Sequence, residues 1–190
     1  MNLPNKLTII RAAVVPFFVF FLLTDLFGAA GDWIALGIFV AAAFTDLFDG
    51  YLARKYKLVT NFGKFMDPLA DKLLVCSALI CLVHLGRLEP WIAIIIIARE
   101  FIISGFRLIA SDQGVVIAAS MWGKAKTLVQ LIMIGFLIGN VQLEVSVGGM
   151  QIKPFVICSE VLKWAALALT IISLIDYIWK NRDLLKTAGK

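Results

Sequence analysis

The chain has 190 residues, 61% of them hydrophobic and 16% charged, and a net charge of +5. Soluble domains carry roughly 25% charged residues and less apolar content, so this composition excludes a soluble globular protein and leaves an integral membrane protein. No basic helix with interleaved aromatics carries the excess charge, which excludes a nucleic-acid footprint and points to membrane topology and attraction to anionic lipid head groups.

In chain order, Met1 to Lys6 is polar, and Pro4 suits the first turn of a helix. An apolar run follows from Leu7 to about Phe27, with Thr8 and Arg11 near its start and Pro16 inside, where a kink is expected. The run is too long, and lacks a small-residue cleavage site, for a cleavable signal. Asp25, Gly28, Gly31 and Asp32 mark a turn before the second run, Trp33 to about Phe48. Tyr56 to Phe65 reads as a basic, polar connection. The third run goes from Pro68 to about Leu85, with Pro68 opening its helix. After a turn at Gly86 to Pro90 come the fourth run, Trp91 to Ala110, and a break at Ser111 to Gly114. The fifth run spans about Trp122 to Gly139, and Asn140 to Lys153 is a loop. Within that loop Val141 to Val147 alternates apolar and polar residues, the pattern of a small hairpin. The sixth run is Pro154 to Trp179, followed by a polar tail from Lys180 to Lys190.

Six runs of about twenty residues predict an all-α, polytopic protein with six transmembrane helices in a single domain over residues 1–190. Lys6, Arg54, Lys55, Lys57, Lys64, Lys124, Lys126, Lys180, Arg182, Lys186 and Lys190 fall on one side, and Arg87 and Lys153 on the other. That bias predicts that both termini lie in the cytoplasm. Cys76, Cys81 and Cys158 sit in apolar runs and form no Cys-x-x-Cys pair, so they read as reduced packing residues. His84, at the far end of the third run, reads as interfacial or packed, and the five tryptophans mostly mark run ends, as an aromatic belt does.

The chemistry concentrates between Asp46 and Asp71. Asp46 and Asp49 are three apart, and Asp67 and Asp71 four apart, so on helices each pair shares a face. Carboxylates bordering membrane runs are costly unless neutralised. A divalent cation is the economical partner, and all-oxygen ligands favour Mg²⁺, Mn²⁺ or Ca²⁺ over Zn²⁺. Helix capping accounts for Asp67 at most. A second group is cationic: Arg99, Glu100 and Arg107 close the fourth run, Lys124 and Lys126 open the fifth, and Thr8 and Arg11 lie near the same cytoplasmic level. Singly these are ordinary snorkelling or topogenic residues; as a set they resemble an anion pocket.

The stretch reads Asp-x-x-Asp-Gly-x-x-Ala-Arg, eight residues, then Gly-x-x-x-Asp-x-x-x-Asp, with Asp46, Asp49, Gly50, Ala53, Arg54, Gly63, Asp67 and Asp71 at the fixed positions. It resembles the signature of the CDP-alcohol phosphatidyltransferases at every one. The resemblance implies two divalent ions, Mg²⁺ or Mn²⁺, held by Asp46, Asp49, Asp67 and Asp71, with Asp71 also the general base. It implies that Gly50, Ala53 and Gly63 lie against the cytidine and diphosphate of a CDP-lipid, with Arg54 pairing either with that diphosphate or with a motif aspartate; small residues at close helix contacts are the plainer reading for Ala53. The opening Asn2 to Arg11 and the two cationic stretches are similar to the phosphatidylglycerophosphate synthase branch of that family. CDP-diacylglycerol and sn-glycerol 3-phosphate are then the expected substrates, with Thr8, Arg11, Arg107, Lys124 and Lys126 around the acceptor phosphate, and a homodimer in the cell membrane. The near alternative is the same chemistry with inositol phosphate, serine or phosphatidylglycerol as acceptor. The remote one is a divalent-cation channel or transporter, against which the position of the aspartates at one membrane edge argues.

Overall fold

The computed structural model describes residues 3–56, 61–112, 120–140, 145–147 and 150–182, and the side chains of 3–9, 11, 25, 29, 46–56, 61–71, 109, 111, 112, 145–147 and 150–152 lie outside that description. Six α-helices account for most of it: α1 (Leu3–Leu23), α2 (Ala29–Tyr56), α3 (Asn61–His84), α4 (Pro90–Asp112), α5 (Met121–Gly139) and α6 (Pro154–Lys180). The chain divides into two compact units, Met1–Leu88 with Leu137–Asn140, and Glu89–Phe136 with Val141–Lys190.

In the first unit α1 packs on both α2 and α3. The contact stripe repeats every three or four residues: Val15, Phe18 and Leu22 on α1, Ala35, Phe39 and Ala42 on α2, Leu74, Ala78 and Leu82 on α3. The rings of Phe18 and Phe39 meet with centroids 6.1 Å apart. α1 begins earlier and ends earlier than its apolar run, because Thr24 turns its hydroxyl back onto the Phe20 carbonyl and Asp25–Phe27 tightens into a 3₁₀ turn. Gly31 then lets α2 start hard against α1: a Cβ there would lie 2.8 Å from the Phe21 carbonyl oxygen. α1 runs unbroken through Pro16.

The end of α3 is closed by a Schellman motif. Gly86, at φ +67°, donates to Val83, and Arg87 donates to Leu82 across 2.9 Å. The Arg87 guanidinium then grips both carboxylate oxygens of Asp32 at 2.8 and 3.1 Å and the carbonyl of Ile138 at 2.9 Å. One side chain thus joins the first turn of α2 to the last carbonyls of α5, where a cation suits the helix dipole.

In the second unit α4 packs on α6. Its buried faces are Ile92, Ile96 and Ile103 on α4, Met133 and Ile134 on α5, and Ala166, Leu167 and Thr170 on α6. Trp91 and Trp164 stack near one end with centroids 6.0 Å apart. There the buried Lys163 donates to Glu89 at 3.0 Å and pairs with Glu160 at 2.7 Å. The hairpin consists of β1 (Val145–Val147) and β2 (Met150–Ile152), antiparallel with Ser146 opposite Gln151. It sits further along than the alternation of Val141 to Val147 indicates, with the Gly148-Gly149 pair between its strands; residues 141–144 lie outside the described residues.

Three expectations are corrected. Pro68 does not open its helix: α3 starts at Asn61, so Pro68 lies in its third turn and Asp67 is interior, not a cap. The expected connection from Tyr56 to Phe65 is accordingly shorter, because α2 reaches Tyr56 and α3 begins only five positions later. The polar composition of that stretch, which suggests a loop, belongs largely to helix. Cys158 is also exposed on the outside of α6, whereas Cys81 is buried; none of the three cysteines forms a disulfide.

Many large apolar side chains are bare, among them Phe17, Ile80, Ile94, Val161 and Ile175. Single exposed leucines are unremarkable on a soluble protein, but this density is what a lipid environment requires. Among the described residues, Met121–Gly139 and Pro154–Lys180 are long and apolar enough to cross a membrane, and Ala12–Leu23, Ala30–Thr45 and Lys72–His84 are shorter apolar stretches.

Candidate active site

The eight signature residues occupy two helices of the first unit. Asp46, Asp49, Gly50, Ala53 and Arg54 lie in the second half of α2, and Gly63, Asp67 and Asp71 in the first half of α3. Their side chains lie outside the described residues, as do those of Thr8 and Arg11 on α1. The helical backbone nevertheless makes each aspartate pair one turn apart on its own helix. Among the described side chains no three of His, Cys, Asp or Glu group together, so the four aspartates remain the candidate metal ligands.

The second unit holds the cations. Lys126 is fully buried in the second turn of α5, whereas Lys124 is exposed. Two residues apart on a helix is about 200° of rotation, so the two ammonium groups leave opposite sides. Lys126 donates to Oε1 of Glu100 on α4. The same oxygen accepts from Arg99 Nη1 at 3.3 Å. Arg99, 7% exposed, also donates from Nε to Ser173 Oγ on α6 at 3.1 Å. Ser173 in turn donates to the Thr170 carbonyl at 3.0 Å. Arg107 is exposed, two turns beyond Arg99, beside Tyr177, whose ring packs on Phe106 with centroids 6.2 Å apart.

Of the expected acceptor residues, Lys126 and Arg107 thus border one polar network in this unit, while Lys124 points away. Sequence reading places Arg99 and Glu100 in the cationic group without a role of their own and passes over Ser173. Their signal is spacing: Arg99 and Arg107 are eight apart, Lys126 and Gln130 four, Ser173 and Tyr177 four, each set on one helix face.

A family model described as CDP-alcohol phosphatidyltransferase matches residues 1–175. The chain belongs to the CDP-alcohol phosphatidyltransferase family. A relative from Bacillus subtilis (strain 168), named CDP-diacylglycerol–glycerol-3-phosphate 3-phosphatidyltransferase, is 41% identical over 204 aligned positions, covering 99% of each chain. A protein of the same name from Rickettsia bellii (strain RML369-C) is 39% identical over 178 positions, covering 93% of each. Membership of this family, together with the apolar helices, makes the chain a membrane protein.

Proposed function

We propose that this transferase moves the phosphatidyl group of CDP-diacylglycerol onto sn-glycerol 3-phosphate, giving phosphatidylglycerol phosphate and CMP, a step of phospholipid biosynthesis. The observation that carries the reading is the complete eight-residue signature on α2 and α3. The names of relatives near 40% identity, which align with nearly the whole chain, support the acceptor. The expected membrane arrangement is a single domain of six spans, with the signature and both termini at the cytoplasmic face, assembled as a homodimer.

Within this reading Asp71 takes the proton from the attacking hydroxyl of glycerol 3-phosphate onto its carboxylate oxygen. The freed oxygen forms a bond to the phosphorus that carries diacylglycerol, and the bond from that phosphorus to CMP breaks. Gly50, Ala53 and Gly63 give backbone clearance for the nucleotide and diphosphate, and Arg54 offsets anionic charge beside them. Four carboxylates are a hard, all-oxygen donor set that fits Mg²⁺ or Mn²⁺, so Asp46, Asp49, Asp67 and Asp71 would hold two such ions. When bound, a pair of divalent ions stabilises charge on the attacking and leaving oxygens. Thr8, Arg11, Arg107, Lys124 and Lys126 are assigned to the acceptor phosphate, which needs two or three charge-assisted donors.

An acceptor panel tests this. Purified protein, CDP-diacylglycerol and Mg²⁺ are combined in turn with glycerol 3-phosphate, inositol phosphate, serine and phosphatidylglycerol, and CMP release is followed. Release with glycerol 3-phosphate alone is expected. Release with a different alcohol instead would move the acceptor assignment, and release with none would remove the transferase reading.

A further inference from the structure

We infer that Glu100 is a positioning residue for the acceptor's phosphate: its carboxylate gathers Arg99 and Lys126 into a two-cation clamp within the second unit. The inference rests on the acceptor reading above. Arg99 and Lys126 come from different helices and repel each other, yet both donate to the same oxygen, Oε1 of Glu100. Burial makes that repulsion larger than it would be in water, and the anion that both cations reach offsets it.

The guanidinium is fixed from other directions too. Its Nε is held by Ser173. Its Nη2 lies against the first turn of α5, where a Cβ on Gly123 would be 3.5 Å away. A planar fork held this way is suited to a phosphate monoester, which accepts several charge-assisted bonds at once. A second, independent observation also points to a polar guest. Gln130 Oε1 is buried without a hydrogen-bond partner among the described residues. It lies one turn from Lys126, on the same helix face as the network. Buried polar atoms are seldom left unpaired, and those that are commonly await a ligand or water. Glycerol 3-phosphate supplies both requirements, a dianion for the cations and a hydroxyl group for the orphaned oxygen. Glu100 does not meet the phosphate; it acts by holding the groups that do.

The test uses full-length protein in detergent with Mg²⁺, comparing wild type, Glu100→Gln and Glu100→Asp. Two quantities are measured: KM for each substrate from CMP release, and the rise in melting temperature caused by inorganic phosphate, which needs no turnover. Glu100→Gln is expected to raise KM for glycerol 3-phosphate roughly ten- to a hundredfold. KM for CDP-diacylglycerol should change much less, and the phosphate-induced rise should disappear. Glu100→Asp keeps the charge but shortens the reach, so it should fall between; should Glu100→Gln not fold, Glu100→Asp carries the same comparison. Glu89→Gln, which removes the carboxylate from the other buried lysine of this unit, should leave both KM values alone. Equal rises in both KM values, or an undiminished phosphate response in both Glu100 variants, would show that Glu100 only ties helices together. Wild type that releases no CMP with glycerol 3-phosphate overturns the acceptor reading instead, and the phosphate response still decides the role of Glu100.

Discussion

The two units differ in the sign of the charge at their functional positions. In the first, four aspartates stand on α2 and α3, while its one described ion pair, Arg87 with Asp32, is stoichiometric and caps a helix. In the second, two buried cations share one carboxylate. A displacement at phosphorus needs both kinds of surface: carboxylates to take a proton and bind cations, and cations to hold an anionic acceptor. In the proposed reaction the signature on α2 and α3 would carry the chemistry, and Arg107 and Lys126 of the second unit would join Thr8 and Arg11 in holding the acceptor.

The second unit repeats the contrast on a smaller scale. Lys163 and Lys126 are both buried, but Lys163 is matched by two carboxylates that are about half exposed, Glu89 at 46% and Glu160 at 51%. Lys126 is 0% exposed, and its carboxylate also serves Arg99. Lys163 therefore looks like a satisfied structural cation at a helix end. Lys126 belongs to a buried network in which it and Arg99 both donate to Glu100.

The largest expected effect concerns the carboxylates. Excess chelator should abolish CMP release, and Mg²⁺ or Mn²⁺ should restore it, because hard cations suit oxygen donors. Full activity in chelator would break the contrast at its first term. Next, Asp71→Asn should lower turnover about 10²–10⁴-fold, the usual cost of a lost general base, with CDP-diacylglycerol binding largely retained. Arg107→Ala and Lys126→Ala should instead raise the glycerol 3-phosphate requirement roughly ten- to a hundredfold each, the equivalent of about 1.5–3 kcal/mol for a charge-assisted bond. Lys124→Ala should do less, because its side chain leaves the opposite side of α5 from Lys126 and the network. A Lys124 effect as large as that of Lys126 would show that the orientation of these side chains does not govern acceptor binding.

The smallest effect belongs to the paired lysine. The Lys163 ammonium, hydrogen-bonded to Glu89, holds that carboxyl below its ordinary range. A carboxyl lowered on folding contributes stability above its unfolded pKa, and the contribution is lost as pH falls through the folded value. Glu89→Gln should therefore lower the melting temperature slightly at pH 7, with the difference from wild type vanishing in the acid range below the usual carboxylate pKa. Half exposure and the remaining Glu160 keep the difference small. A difference that persists at low pH would trace to packing rather than charge.

Much of this was legible in the sequence because it depends on local rules. Six apolar runs gave six helices, and a run of eight fixed residues identified the family. The misplaced element was the start of α3, where Pro68 was an attractive first-turn residue; in membrane helices an interior proline is tolerated where packing against a neighbour offsets the lost hydrogen bond, and α3 packs on α1. The network around Glu100 was harder to read because it is tertiary. Nothing in the adjacency of Arg99 and Glu100 says that Lys126 on α5 and Ser173 on α6 will meet them. Spacing indicates which faces are polar, not which faces pack together. Lys124 and Lys126 show the converse: their separation by two places sets them on opposite sides of α5, a distinction that a count of basic residues loses.

Asp71→Asn and Arg107→Ala, assayed side by side with each substrate varied, test the division between chemistry and acceptor recognition most directly. The account predicts that Asp71→Asn lowers kcat with little change in either KM. It predicts that Arg107→Ala raises KM for glycerol 3-phosphate alone. The same kinetic change from both substitutions, or a kcat of Asp71→Asn at the wild-type level, would contradict it.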